Sequence, residues 1–230
     1  MIKEGVGGTE SVEAGEMGDE KVKNEAMEIM GMFQVLPRLV VFDLDYTLWP
    51  FYCECRSINE KPSMYPQAKG ILHALKDKGV NVAIASRSPT PDIANAFLKK
   101  LGIKSMFVAQ LTSWQPLFTW SRSGNSRLEE RKTKKIEIFS SWTHKTEHFQ
   151  KINRKTAVPY NDMLFFDDEN RNIQAVLKMG VTSILVGKGV NLGAFRQGLS
   201  EFVQNSASVE KNKERWRKFS KEPGSSKSDT

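Results

Sequence analysis

Three apolar runs of the sequence end in polar side chains that could act as nucleophiles, acids, bases or metal ligands. They are Asp43 and Asp45 after residues 39–42, Ser86 after residues 80–85, and Asp167 with Asp168 after residues 163–166. The runs are continuous and apolar, which is typical of buried parallel strands. Because clustered carboxylates repel one another and lose solvation when buried, they need a compensating cation. All-oxygen ligation suits Mg²⁺, which also bridges to phosphate groups.

These strands belong to a regular alternation of strand and helix patterns. Two more apolar runs, residues 106–109 and 181–186, predict the remaining strands. Helical spacing is present at residues 67–78, 91–101, 143–156, 169–179 and 192–202. This alternation predicts an α/β fold with a doubly wound parallel sheet, in which the strand before Asp43 is central and the strand before Asp167 lies beside it. Ligands bind such sheets at the carboxyl ends of the strands, so we expect the polar side chains to meet there.

The charge of the chain is unevenly distributed. The 230 residues carry a net charge of +7, but residues 1–36 contain eight acids and only three lysines. The rest of the chain is therefore strongly basic, which favours phosphoesters, nucleic acid or an acidic surface as partners. A solvated basic surface without a partner is the alternative. We predict an acidic disordered tail over residues 1–36, with a short helix near residues 20–31, and a basic tail over residues 204–230 that begins as a frayed helix and is then disordered.

Several classes of protein are not expected from this sequence. No apolar run reaches the length of a membrane helix, and the acidic N-terminal residues are unlike a transit peptide or a secretion signal. The two cysteines, Cys53 and Cys55, are one residue apart and make a poor disulfide framework or zinc site. We expect a cytoplasmic protein that has no membrane partner and is a monomer.

Four segments together resemble the motifs of the haloacid dehalogenase (HAD) superfamily. The sequence FDLDYTLWP, residues 42–50, resembles its first motif, Asp-x-Asp-x-Thr after a strand. Ser86 and Arg87 resemble the second motif, Lys145 the third, and FFDDENRNI, residues 165–173, the fourth. The full first and fourth segments are similar to those of the eukaryotic magnesium-dependent phosphatase-1 type. The resemblance covers residues 38–109 and 137–203, which we take as the limits of one domain over residues 37–203.

The resemblance implies catalytic and metal-binding roles for the carboxylates. Asp43 is implied as the nucleophile that forms an aspartyl phosphate, and Asp45 as the general acid and then the general base. Mg²⁺ is implied as the cofactor, held by Asp43, by the backbone carbonyl of Asp45 and by Asp168 or Asp167. The family pattern favours Asp168 as the ligand and makes Asp167 a neighbouring partner.

Phosphate binding is implied for Leu44, Ser86, Arg87 and Lys145. The alternatives from the residues alone are a surface charge for Lys145 and a solvated side chain for Arg87. Trp49, Phe51 and Tyr52 either form the floor of the site or pack a loop. His144 and His148 lie four residues apart and could in principle bind a metal, but no third ligand is near, so we expect an ordinary helix face.

Residues 111–136 have no counterpart in the family pattern and form an insert of 26 residues. This insert could be a cap over the site, a neutral loop, or a disturbance of Lys145 that inactivates the protein. The other place for a cap, residues 50–66, is too short for a cap domain, so we predict no large cap and an open site.

The predicted function is a Mg²⁺-dependent phosphomonoester hydrolase. Its substrate would be a phosphorylated small molecule or a phosphoprotein, and the resemblance adds phosphotyrosine and sugar phosphates as candidates. One alternative is a phosphatase of nucleic-acid termini, which the basic body supports, although nucleic acid is the less favoured partner. The other is a catalytically impaired phosphate-binding or interaction protein.

Overall fold

A five-stranded parallel sheet forms the centre of the protein. The computed structural model describes residues 9–111 and 144–219. The strands are β1 (Leu39–Phe42), β2 (Asn81–Ala85), β3 (Phe107–Leu111), β4 (Met163–Asp167) and β5 (Thr182–Leu185). Their order in the sheet is β3-β2-β1-β4-β5, and every neighbouring pair is parallel. The predicted sheet is confirmed, with β1 central and β4 beside it.

Six helices cover the two faces of the sheet. They are α1 (Thr9–Gly31), α2 (Ala68–Asp77), α3 (Pro91–Lys100), α4 (Lys145–Thr156), α5 (Asn170–Leu177) and α6 (Leu192–Phe219). Alternate residues of β1 point to opposite faces: Val40 and Phe42 join one buried cluster, while Leu39 and Val41 join the other. The first cluster includes side chains of α1, α2, α3 and α6, and the second includes side chains of α4 and α5.

The path of the chain creates one point where the strand order reverses. From β1 the chain adds β2 and β3 on one side, and it then returns to place β4 on the other side of β1. Connections that leave adjacent strands in opposite directions open a crevice between the carboxyl ends of those strands. The reversal lies between β1 and β4, and these are the strands that precede the first and last predicted carboxylates.

The N-terminal helix corrects the prediction of a disordered tail over residues 1–36. Helix α1 begins at Thr9, and Ala26, Ile29 and Met30 near its end are buried in the core. Together with the half-buried Val22, these residues lie three or four apart and form one apolar stripe. Because this stripe is short and the segment is rich in acids and glycines, the composition alone predicted disorder. Two ion pairs join charged side chains of α1 to α2: Lys69 with Asp19 at 2.8 Å, and Lys23 with Asp77 at 3.0 Å.

The last helix corrects the prediction for the other terminus. Helix α6 does not end near residue 202 but continues to Phe219, through much of the predicted basic tail. Its first half is anchored, because Phe195, Leu199 and Phe202 are buried. Asn205 extends this contact by donating a hydrogen bond to Thr182 of β5 at 3.0 Å. Residues 220–230 lie outside the described residues. No helix in the described ranges has the length and apolar character required to cross a bilayer.

Helices α1 and α2 cross closely at Gly70, which generates a prediction about stability. A methyl group at Gly70 would lie 2.7 Å from the carbonyl oxygen of Asp19 and from Cβ of Val22. We expect Gly70→Ala to lower the free energy of unfolding by about 1–3 kcal/mol, the usual cost of overpacking, less a smaller gain in helix propensity. Urea denaturation measures the change.

Gly18→Ala is the matched control, because Gly18 lies in α1 and a methyl group there meets nothing within 4 Å. It should raise stability slightly through helix propensity alone. If both substitutions stabilise the protein, α1 is not packed against α2 as described.

Candidate active site

Three carboxylates meet where β1 and β4 end. Asp43 directly follows β1, Asp167 is the last residue of β4, and Asp168 comes next. One oxygen of each lies within 4.8 Å of the others. The backbone N–H of Asp43 donates to the carbonyl of Phe166 at 3.0 Å, so pairing between β1 and β4 continues into the site. Asp43 and Asp167 are buried, whereas Asp168 is partly exposed.

A buried lysine holds two of these carboxylates. Lys145 is the first residue of α4, and only 2% of its surface is exposed. Its Nζ lies 2.6 Å from Oδ1 of Asp43 and 2.9 Å from Oδ2 of Asp167, and it also donates to the carbonyl of Ala85. A lysine at a helix N-terminus opposes the helix dipole, and the two carboxylates offset that cost. The alternative of a surface charge for Lys145 is therefore wrong.

Both carboxylate oxygens of Asp167 accept hydrogen bonds from neighbouring protein groups. Besides Lys145, it accepts hydrogen bonds from the backbone N–H of Glu169 at 2.8 Å and from the amide of Asn172 at 3.0 and 3.1 Å. These contacts orient both of its oxygens. Asp168 faces the open cavity instead, and it is therefore the better placed of the pair to bind a metal ion.

The electrostatics of the cluster favour a bound cation. Burial raises the pKa of Asp43 to about 8, against the influence of the Lys145 ammonium group and with that of neighbouring carboxylates. Burial and the charge of Asp167 raise the pKa of Asp168 to about 6. Burial acts to lower the pKa of Lys145, but Asp167 and Asp43 more than offset it, so the lysine stays charged. One ammonium group does not balance three carboxylates, and the donors left are hard oxygens of the kind that bind Mg²⁺.

Asp45 occupies a different environment from Asp43. Its Oδ1 accepts hydrogen bonds from the indole Nε1 of Trp49 at 2.7 Å and from the backbone N–H of Cys53 at 3.3 Å. Burial raises the pKa of Asp45, and these two donors act against the shift. An elevated pKa favours a carboxyl group that carries a proton, which is the form that a general acid needs.

The carboxylates open into a cavity of about 320 Å³. Among the described residues it is lined by Asp43, Asp45, Tyr52, Glu54, Ser86, Arg87, Ser88, Pro89, Lys145, Asp168, Glu169, Arg171 and Asn172. Most of the predicted site residues are thus brought together. Leu44 is the exception among the substrate-binding predictions, because its side chain is buried in the core and only its backbone could reach a ligand.

A network of opposite charges, absent from the sequence prediction, crosses the mouth of the cavity. Glu169 bonds Arg87 at 2.5 Å, Arg171 at 2.7 Å and the amide of Asn172 at 3.0 Å. Burial acts to raise the pKa of Glu169, but Arg171 and Arg87 hold it below the usual range. Arg87 is therefore ion-paired rather than simply solvated, and it also lines the cavity, so its binding of substrate stays a prediction. In the sequence, the segment ENRN, residues 169–172, directly follows Asp167 and Asp168 and carries the acid, the arginine and the amide of this network.

Other side chains differ from the sequence prediction or resolve its alternatives. His148 lies on a helix face that is fully buried, and burial with the nearby Lys145 charge lowers its pKa to about 3. Trp49 and Phe51 pack in the core. Tyr52 lines the cavity and is 47% exposed. Cys53 and Cys55 are both free thiols, the first buried and the second exposed.

The insert falls largely outside the described residues. Its first residue, Leu111, is the last residue of β3. This strand pairs with β2, the strand that ends just before Ser86. Residues 112–136 are not described, so the predictions of a cap, a neutral loop or an inactivating segment stay predictions.

Comparison with known proteins assigns the family. A sequence profile described as Acid Phosphatase matches residues 35–62 and 56–205. The human protein named Magnesium-dependent phosphatase 1 is 32% identical over 184 residues, which are 74% of this chain and 89% of the relative. A HAD-like hydrolase superfamily protein of Schizosaccharomyces pombe is 31% identical over 167 residues, covering 64% of this chain and 83% of the relative.

Among solved structures, a HAD-superfamily hydrolase from Ehrlichia chaffeensis is 13% identical, with a TM-score of 0.49. The match covers 74% of this chain and 100% of that chain. The family assignment rests on the sequence matches. They cover the strands that end in Asp43, Ser86 and Asp167 and the helix that begins at Lys145. The chain therefore belongs to the acid phosphatase family within the HAD superfamily, and it is a phosphatase of the magnesium-dependent phosphatase-1 type.

Proposed function

We propose that the protein hydrolyses phosphomonoesters through a phosphorylated Asp43, with Asp45 as the general acid and base. The observation that carries the proposal is the contrast between two carboxyl groups lining one cavity. Asp43 is bonded to Lys145 beside the other carboxylates, while Asp45 is bonded to neutral donors further along its own loop. Two carboxyl groups whose environments differ in this way suit a nucleophile and a proton donor.

The reaction then has two steps. A carboxylate oxygen of Asp43 forms a bond to phosphorus, the bond from phosphorus to the leaving oxygen breaks, and the proton of Asp45 moves to that oxygen. In the second step a water oxygen bonds to phosphorus and gives its proton to Asp45. The bond between phosphorus and the Asp43 oxygen breaks, which restores the carboxylate and releases phosphate.

Asp43, Asp168 and the backbone carbonyl of Asp45 are the proposed ligands of Mg²⁺, with Asp167 beside them. When bound, Mg²⁺ neutralises charge so that an anionic nucleophile can approach a phosphate dianion. Lys145 fixes the rotamer of Asp43 and adds positive charge where the phosphoryl group lies. Ser86 is the proposed donor to a phosphoryl oxygen, which its burial at the end of β2 and its position in the cavity lining support.

Among the described residues, the mouth of the cavity carries both apolar and polar surface. Tyr52 and Pro89 offer apolar surface for a leaving group, and Glu54 and Arg171 offer polar contacts. Aryl phosphates, including phosphotyrosine, and sugar phosphates are the candidate classes. Turnover of a nitrophenyl phosphate, a phosphotyrosine peptide and a hexose phosphate by the same preparation would rank them.

The first prediction concerns the nucleophile. Asp43→Asn removes the attacking charge while keeping the size of the side chain, and we expect turnover to fall at least ~10³-fold. Asp45→Asn should slow both steps and allow a phosphorylated enzyme to accumulate, detectable by mass spectrometry. Asp162→Asn, in the turn before β4, is the control for loss of a carboxylate away from the site. Near-normal activity of Asp43→Asn would disprove the mechanism.

The second prediction concerns the metal ion. Asp168→Asn should raise the Mg²⁺ concentration needed for half-maximal activity about tenfold or more, because a neutral amide is a weaker ligand. Calorimetric titration with Mg²⁺ should show the same loss of affinity without substrate, and Asp162→Asn should show none. Full wild-type turnover in excess chelator would refute the metal assignment.

The third prediction concerns Arg87. Glu169→Gln removes a negative charge from the cavity mouth and releases Arg87, so inorganic phosphate should inhibit about threefold to tenfold more strongly. Glu54→Gln removes a charge from the same lining without this ion pair, and it isolates the contribution of Arg87. The proposed release of Arg87 is wrong if the two variants gain the same affinity.

A further inference from the structure

We propose that Trp49 is a positioning residue for the general acid, and that its indole N–H fixes the orientation of the Asp45 carboxyl group. The inference rests on the proposed function of Asp45. Trp49 contributes no atom to the cavity lining and touches the reaction only through Asp45.

The geometry assigns both donors to one oxygen. The Trp49 indole and the backbone N–H of Cys53 both donate to Oδ1 of Asp45, at 2.7 and 3.3 Å. Two donors on one oxygen hold the carboxyl group in a single orientation, with Oδ1 toward Trp49 and Cys53. Oδ2 is the oxygen left for the reacting groups. A carboxyl group without such donors rotates almost freely about its last bond and presents either oxygen.

The chain is shaped to bring Trp49 back to Asp45. Tyr46 has a φ of 51°, in the left-handed region that a bulky side chain rarely adopts. The carbonyl of Leu44 then accepts hydrogen bonds from the backbone N–H groups of Leu48 at 2.8 Å and Trp49 at 3.3 Å. This tight turn after β1 returns the residue four positions after Asp45 to its side chain. Strain at Tyr46 is consistent with a turn that serves the site.

The indole ring is rigid as well as close. Trp49 is fully buried, stacks on Phe51 with ring centroids 5.7 Å apart, and meets the edge of Phe97 at 6.2 Å. Indole has one polar atom, which can only donate. In a buried position that donor requires an acceptor, and Asp45 provides it. The aromatic packing therefore fixes the direction of a single hydrogen bond onto the carboxyl group.

The consequence for the reaction is specific to proton transfer. In the first step the proton moves from Oδ2 of Asp45 to the leaving oxygen as the bond from phosphorus to that oxygen breaks. In the second step a proton of the attacking water moves to Oδ2. Loss of the Trp49 donor should affect a substrate in proportion to its need for the proton, so poor leaving groups suffer most.

The experiment compares phenyl phosphate with p-nitrophenyl phosphate, which differ little in shape but strongly in leaving-group quality. Trp49→Phe keeps most of the aromatic packing and removes the donor. A second variant carries 3-benzothienylalanine at position 49, which keeps the indole shape and lacks the N–H, so a cavity cannot explain its effect. The measured quantity is kcat/KM, which reports the steps through release of the leaving group.

We expect kcat/KM for phenyl phosphate to fall about tenfold more than that for p-nitrophenyl phosphate in both variants. The control is Phe97→Leu, which weakens the packing of Trp49 but keeps the hydrogen bond; it should lower the melting temperature and affect both substrates equally. An equal fall for both substrates in the Trp49 variants would overturn the inference and leave Trp49 a packing residue.

The same substrate pair separates failure of the inference from failure of the proposed function. If Asp45→Asn shows the steep dependence on leaving group and the Trp49 variants do not, only the positioning role is wrong. If Asp45→Asn also treats the two substrates equally, Asp45 is not the general acid and the proposed function itself fails.

Discussion

The ammonium group of Lys145, buried between Asp43 and Asp167, is the interaction on which the rest of the site depends. Burying these charges is costly, and the cost is offset only when the geometry is good and the remaining hydrogen-bonding groups are satisfied. The structure meets this requirement with side chains from three separate segments, at the ends of β1 and β4 and at the start of α4. Their mutual positions must therefore be correct to within a fraction of an ångström, and the parallel pairing of β1 with β4 provides that precision.

A second layer of contacts supports the carboxylates and the cavity mouth. Asn172 and the backbone of Glu169 orient Asp167, while the side chain of Glu169 links Arg87 with Arg171. Two loops that follow different strands are joined in this way. Trp49 and the backbone N–H of Cys53 donate hydrogen bonds to Asp45. Partners that fix the orientation of catalytic groups bear directly on rate, because small displacements of reacting groups are expensive.

Helix α1 lies entirely outside the residues that match the family profile, which begin at residue 35. It is nevertheless packed into the core through Ala26, Ile29 and Met30, and its close approach to Gly70 leaves no room for a side chain there. The helix covers apolar surface next to α2 and α6 and contributes no residue to the described lining of the cavity. Its contribution is therefore to the stability of the helix layer.

The sequence by itself determined the sheet, the central place of β1 and the group of residues at the carboxyl ends of the strands. Apolar runs that end in acids are local signals, and parallel topology then brings those ends together. Three features were decided by tertiary structure: the burial of Lys145 and His148, the engagement of Arg87 by Glu169, and the order of α1. Each depends on partners that are distant in sequence, such as Lys145 and Asp43, 102 residues apart. The sequence pattern around a charged helix residue is the same whether its side chain faces solvent or a buried carboxylate. Only the packed structure distinguishes the two.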